Sequence, residues 1–184
     1  MLAVADIEQL PVEQARKGDS GAWDTLFRRY QMPLYVYVYE LLRDEQASLD
    51  VVQETFVAAT RHLASLRSDE KFGSWLFGIA RQKCIQRWRR SRREETAMET
   101  FANEPGEFGP GPDEWLIRKE QEAVFLSLLE QLPKPQREVL VLFFLEDFSI
   151  EEIARITCAQ AGTVKSRLHY AKSAMRQLLE NKPL

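Results

Sequence analysis

The sequence predicts an all-α fold of two small helical domains: an N-terminal helical bundle and a C-terminal helix-turn-helix domain, joined by a flexible acidic Gly/Pro linker. Three observations predict it. Apolar residues recur three and four positions apart along most of the chain. Glycine and proline gather in Glu104-Pro-Gly-Glu-Phe-Gly-Pro-Gly-Pro-Asp113, where neither helix nor strand can persist. The 184 residues, 45% of them hydrophobic, suffice for one ordinary core or two small ones. The boundaries read as 1–93 for the bundle, 94–113 for the linker and 114–184 for the second domain.

Asp19 is a good N-cap before Ala22, and Trp23, Leu26, Phe27, Tyr30, Leu34, Val38, Leu41 and Leu42 follow at helical spacing. Within this stretch Tyr35-Val-Tyr-Val-Tyr39 is rich in strand formers, and Pro33 could end a helix, so a short strand competes. Helix is preferred because the spacing continues on both sides and no partner strand is visible. A second helix is expected over about 48–66, then a polar loop over 67–73, then a third helix from Ser74 into a run of arginines. Such amphipathic helices suit an antiparallel bundle. Beyond the linker, a helix over about 113–132 stops at Pro133, and Pro135 lets the next start and run to about Leu145. Ser149 caps a short helix with Glu151 and Glu152 in its first turn, a tight turn covers 157–160, and the last helix spans about 161–180.

No targeting segment and no apolar run of about eighteen residues is present, so a soluble, cytoplasmic protein without membrane contact is expected. Cys84 and Cys158 form no C-x-x-C pair and read as buried thiols rather than a disulfide or zinc site. The net charge of -3 hides a strong segregation. Residues 75–93 hold seven cations (Arg81, Lys83, Arg87, Arg89, Arg90, Arg92 and Arg93) and no acid; 94–122 hold nine acids against Arg118 and Lys119; 163–177 hold four cations and no acid. Two basic patches flanking an acidic stretch suit two contacts to a polyanion.

The sharpest motif is Ile150-Glu-Glu-Ile-Ala-Arg-Ile-Thr-Cys-Ala-Gln-Ala-Gly-Thr-Val-Lys-Ser-Arg-Leu168. Two closely crossing helices need a small residue at the crossing, Ala154, and apolar anchors, Ile153, Ile156, Val164 and Leu168. The second helix then meets the major groove by its N-terminal end, where Thr163, Lys165, Ser166 and Arg167 can reach bases and phosphates. On the helix beginning near Trp75, core-like Trp75, Ile79 and Phe72 accompany Arg81, Lys83, Arg87 and the later arginines. Cations beside aromatics suit phosphates and unpaired bases, although a solvated basic helix end reads the same way. On the second helix Asp50 and Glu54 share a face with Gln53. His62 lies two turns from Glu54 and no metal-ligand cluster forms, so a docking face is preferred to a catalytic pair. No cofactor or metal is expected.

Asp50-Val-Val-Gln-Glu-Thr-Phe56, Trp75-Leu-Phe-Gly-Ile-Ala-Arg81, Leu132-Pro-Lys-Pro-Gln-Arg-Glu-Val-Leu140 and Gly162-Thr-Val-Lys-Ser-Arg-Leu168, in this order, resemble bacterial RNA polymerase sigma factors of the extracytoplasmic-function (ECF) group. The resemblance implies a non-enzymatic factor that binds core RNA polymerase, directs promoter-specific initiation and helps melt the promoter. It implies that Asp50, Gln53 and Glu54 dock on the coiled coil of the polymerase's largest subunits. It assigns minus-ten recognition, including capture of a base from the melted non-template strand, to Ser68, Lys71, Phe72, Ser74, Arg81, Lys83 and Arg87. Minus-thirty-five recognition in duplex DNA would fall to Gln160, Ala161, Thr163, Lys165, Ser166, Arg167, His169 and Lys172. The acidic linker would thread toward the RNA exit path, and an anti-sigma protein is a partner such factors often have. Where family members usually carry glycine stands Cys158, and where they often carry a serine-like cap stands Gln160, which implies a less regular turn. Leu49 and Gln82 also depart from the usual acid and asparagine.

Two other readings compete. A helix-turn-helix regulator acting without polymerase would not need the Asp50/Gln53/Glu54 face or the second basic patch. A helical hydrolase using Asp50, Glu54 and His62 would require metal-dependent turnover.

Overall fold

A computed structural model describes residues 10–97 and 128–180, and for 91–97 only the backbone path. The expected linker beyond residue 97, and most of the helix expected over 113–132, lie outside the described residues. All regular structure among the described residues is helical.

Helix α1, Val12–Arg16, is a single turn that the apolar spacing had not marked; Val12 and Ala15 are buried, and the Trp23 indole N–H donates to the Ala15 carbonyl at 3.0 Å. Helix α2, Ser20–Leu42, begins at Asp19, whose carboxylate accepts from the Ala22 N–H. It runs unbroken through Pro33 and the Tyr35–Tyr39 stretch, so helix prevails over strand there. Pro33 removes one backbone donor at a cost of about 3 kcal/mol in an ordinary helix interior, and buried Tyr30, Leu34, Tyr37 and Val38 on either side hold the helix together.

Helix α3, Glu45–His62, starts three residues before its expected position because Asp44 is the cap, accepting from the Ala47 N–H at 2.7 Å. Two short 3₁₀ turns, at Leu63–Ser65 and Asp69–Lys71, make the connection to α4, Phe72–Ala97. Thus α4 passes the expected domain boundary at residue 93.

Helix α5, Lys134–Glu146, carries Pro135 in its first turn, where the missing N–H costs nothing. Helix α6, Ile150–Thr157, has a full capping box: Ser149 accepts from the Glu152 N–H, and Glu152 accepts from the Ser149 N–H. Helix α7, Ala161–Glu180, completes the helix-turn-helix. Helices α2, α5 and α6 each end on a non-glycine residue in the left-handed region: Arg43 (φ 56°), Asp147 (φ 50°) and Cys158 (φ 51°).

The two units pack on one another. Helix α5 lies against α2, and α6 lies against α4. Their buried apolar residues run into one cluster, from Leu26, Tyr37 and Phe77 through Phe148 to Ile153 and Val164.

Candidate nucleic-acid interface

Val164, Leu168, Ala171 and Met175 seat α7 against the rest of the C-terminal unit. This burial turns the other side of its first turns outward, where Gln160, Thr163, Lys165, Ser166, His169 and Lys172 are exposed, with Ala161 and Arg167 half-buried. No acid occurs on this helix before Glu180. Ser166 donates back to the Gly162 carbonyl at 3.0 Å, and the Lys172 ammonium sits 3.8 Å from the Phe143 ring centre, a cation–π contact that fixes it on α5. The turn before α7 is regular despite Cys158. That residue takes the left-handed cap conformation with its N–H on the Ala154 and Arg155 carbonyls, and the Val164 N–H finds the Gln160 carbonyl at 3.0 Å. The exposed Cys158 is not a buried thiol; Cys84 is, and burial pushes its pKa up to about 12.

The residues expected at the minus-ten element divide into three sets. Lys71 is exposed and Ser68 half-exposed on the 3₁₀ turn, which Arg16 of α1 holds through Asp69 and the Leu66 carbonyl. Phe72 and Ser74 point inward. Phe72 is 0% exposed, its ring within 6.4 Å of those of Trp23, Tyr30 and Trp75, and the Ser74 hydroxyl donates to the Lys71 carbonyl. Phe72 therefore supports the loop from beneath, as its core-like spacing suggests. Arg81, Lys83 and Arg87 form the third set, and each meets a carboxylate. Arg81 Nε donates to Glu138 at 2.7 Å, Lys83 bonds Glu54 at 3.1 Å, and Arg87 reaches Asp50 at 3.5 Å. Burial works against the Arg81 charge, but Glu138 more than offsets it and the guanidinium pKa is raised.

Asp50, Gln53 and Glu54 do share the outer face of α3, flanked by exposed Leu49 and Val57. The cationic run of α4, acid-free along the sequence, is thus met in space by acids of α3 and α5.

Sequence reasoning missed the contacts between the units. Glu138 also accepts from the buried Tyr37 hydroxyl at 3.0 Å; burial, with Glu138 beside it, raises the Tyr37 pKa well above the usual value and keeps the phenol a donor. Arg29 makes a two-pronged pair with Glu146, both bonds 2.9 Å, and Arg43 bonds Glu130 at 2.8 Å. Phe148 packs edge-on against Phe77, ring centres 5.2 Å apart. Its position before the Ser149 cap, an isolated aromatic in a polar turn, marks a staple residue, and that was the one available signal.

Comparison with known proteins agrees with this geometry. Residues 26–94 match the family Sigma-70 region 2, and residues 122–175 match Sigma-70, region 4. The chain is 31% identical to the RNA polymerase sigma-H factor of Pseudomonas aeruginosa over 98% of this chain and 97% of that one. It is 31% identical to the ECF RNA polymerase sigma-E factor of Escherichia coli over 91% and 92%. Among solved structures it resembles CnrH in complex with the cytosolic domain of CnrY, with a TM-score of 0.64, 27% identity and coverage of 97% of this chain and 100% of that one. The chain belongs to the ECF group of bacterial RNA polymerase sigma factors and directs transcription initiation.

Proposed function

We propose that the two units divide the work of a sigma factor in chain order. Residues 1–93 dock core RNA polymerase through Asp50, Gln53 and Glu54. The same unit recognises and melts the minus-ten element through Ser68, Lys71, Arg81, Lys83 and Arg87, with Phe72 and Ser74 shaping the loop. Residues 114–184 read the minus-thirty-five element through Gln160, Ala161, Thr163, Lys165, Ser166, Arg167, His169 and Lys172. The observation that carries this reading is the exposed, acid-free outer face of α7, because a helix seated by one apolar stripe can enter a major groove only by the opposite side. Lys83 and Arg87 would exchange their carboxylate partners for phosphates, which frees Glu54 and Asp50 for polymerase; the two engagements support each other. The protein does no covalent chemistry, since polymerase supplies the active site, and it works in the cytoplasm. An anti-sigma protein is a further proposed partner.

Run-off transcription with purified core polymerase on a promoter library tests the assignment. Arg167→Ala is expected to weaken minus-thirty-five binding by about 1–3 kcal/mol if it reads a base, with core affinity unchanged. Loss of core affinity instead would show that the faces have been exchanged.

A further inference from the structure

We propose that Arg16 of α1 is a positioning residue for the minus-ten turn: it staples the turn into shape and compensates an acid that stands beside the DNA contacts. The inference rests on the minus-ten reading of Ser68 and Lys71 given above and deepens it with the residue that holds them in place.

The geometry starts at α1. Val12 and Ala15 are buried, and the Trp23 indole N–H on the Ala15 carbonyl fixes this single turn to α2. Gly18, at φ 90°, makes the reversal between the two helices, its N–H bonded back to the Ala15 carbonyl at 3.0 Å. Trp23 also meets the ring of Phe72, the first residue of α4, at 6.4 Å, so α1 is placed with respect to the end of the turn. From there Arg16 reaches the turn itself. Its Nη2 donates to Asp69 Oδ1 and, at 3.4 Å, to the Leu66 carbonyl. Leu66 caps the first 3₁₀ turn and Asp69 opens the second. One guanidinium thus pins two points three residues apart, and Arg67 and Ser68 form the span between them. Lys71, whose N–H returns to the Ser68 carbonyl at 3.0 Å, takes its place from that span. No periodicity pairs Arg16 with Asp69, 53 positions away.

Electrostatics call for a cation at this point. Asp69 and Glu70 stand in the turn that leads into α4, where the positive end of a helix favours acids. The same turn turns Ser68 and Lys71 outward, and an uncompensated acid beside them would repel a polyanion. Arg16 resolves the conflict by meeting Asp69 from the bundle side. The two side chains are 32% and 40% exposed, so losing the pair loosens and uncovers the turn without unfolding the unit. A turn ordered in advance also spares a bound strand the entropy of ordering it.

The test uses the full chain assembled with core polymerase and a promoter recovered by run-off transcription. Binding of a labelled single strand carrying the non-template minus-ten sequence is measured beside core affinity. Arg16→Ala is expected to weaken strand binding roughly two- to fivefold, the range of a partly exposed ion pair. Core affinity should not change, and amide hydrogen exchange should quicken over residues 66–71. Arg16→Lys, which keeps a charge opposite Asp69, should recover part of the loss. Arg16→Ala/Asp69→Asn separates the two effects, because it removes the bare acid and leaves the turn untethered; its strand binding should stay below that of the unsubstituted chain. Full recovery there would reduce Arg16 to a charge mask and overturn the positioning role. A loss of core affinity in Arg16→Ala as large as the loss of strand binding would overturn it too, as the mark of a damaged fold. Lys71→Ala, a direct contact on this reading, is the reference. If it weakens strand binding and Arg16→Ala does not, the staple is refuted and the minus-ten reading stands. If neither does, the minus-ten reading falls and takes the staple with it.

Discussion

Cys158→Gly should stabilise the protein. Cys158 caps α6 at φ 51°, ψ 38°, a conformation that places an L-residue's Cβ against the following carbonyl oxygen at roughly 1–2 kcal/mol. Glycine escapes that cost but brings greater unfolded-state freedom, worth about 0.5–1 kcal/mol the other way. The side chain offers little compensation, being exposed, with its sulfur 3.8 Å from the Arg155 carbonyl. The cap's N–H bonds to Ala154 and Arg155 survive the change because they are backbone. A net gain of about 0.5–1 kcal/mol remains, equivalent to a rise of about 1–4 °C in Tm for a chain of this size. Differential scanning calorimetry under reducing conditions measures it, with Cys158→Ala as the control: alanine removes the thiol and keeps the Cβ, so its Tm should barely move. A gain from alanine equal to that from glycine would place the effect in the thiol. No gain from glycine would refute the backbone argument.

Two further outcomes follow from the packing around the junction. Gly73→Ala should destabilise the protein by about 1–3 kcal/mol, the usual range for overpacking, because the added methyl would lie 3.0 Å from the Tyr30 hydroxyl; an unchanged Tm in thermal denaturation would mean that Tyr30 moves aside freely. Glu40 should make stability fall as pH rises. Burial outweighs the attraction of Arg43 and Arg137, with Glu130 adding to it, and holds the Glu40 carboxyl above the usual carboxylate range. The native state therefore keeps this proton to higher pH than the unfolded chain does. The group's favourable contribution is complete below the ordinary value of about 4.5 and is lost as pH climbs through the raised one, at up to ~1.4 kcal/mol per unit. Urea denaturation of the unsubstituted chain and Glu40→Gln should show the former gaining on the variant as pH falls from 7 toward 5, and a constant difference would count against it.

Much of this structure was legible because local rules and packing agreed. Asp19, Ser149 and Pro135 mark helix starts in the sequence and serve as such, and the apolar residues of α7 seat the helix from which its polar residues project. Helix α3 starts three residues before its expected position because Asp44 is the cap; Ser48, the expected start, lies inside the helix and spends its hydroxyl on the Asp44 carbonyl at 2.6 Å. Cys158 suggested an irregular turn by its chemistry, but Cys158 and Arg43, both left-handed with their N–H groups bonded back into the helix, show that backbone hydrogen bonds set the geometry and the side chain adapts at a cost. None of the pairs between the units could be read in advance, because no periodicity links Arg29 to Glu146 or Arg81 to Glu138, 117 and 57 positions apart.

That gap bears on how charge should be read in such a chain. A count along the sequence gives two cationic stretches, and on that count α4 looks like a ready phosphate-binding surface. In the fold three of its cations already have carboxylates, from two different sources: Asp50 and Glu54 on α3, the proposed polymerase face, and Glu138 on α5. Binding DNA through α4 is then an exchange of partners rather than the filling of an empty site, and its net strength depends on where the displaced acids go. Asp50 and Glu54 can pass to a basic polymerase surface, so their release is coupled to docking. Among the described residues the other hydrogen bond to Glu138 comes from the Tyr37 hydroxyl, which is neutral and buried. Opening that contact leaves a carboxylate to be solvated, which requires the units to separate. On this argument polymerase should activate α4 twice, by drawing away the α3 acids and by prising off α5, and DNA alone should do neither well.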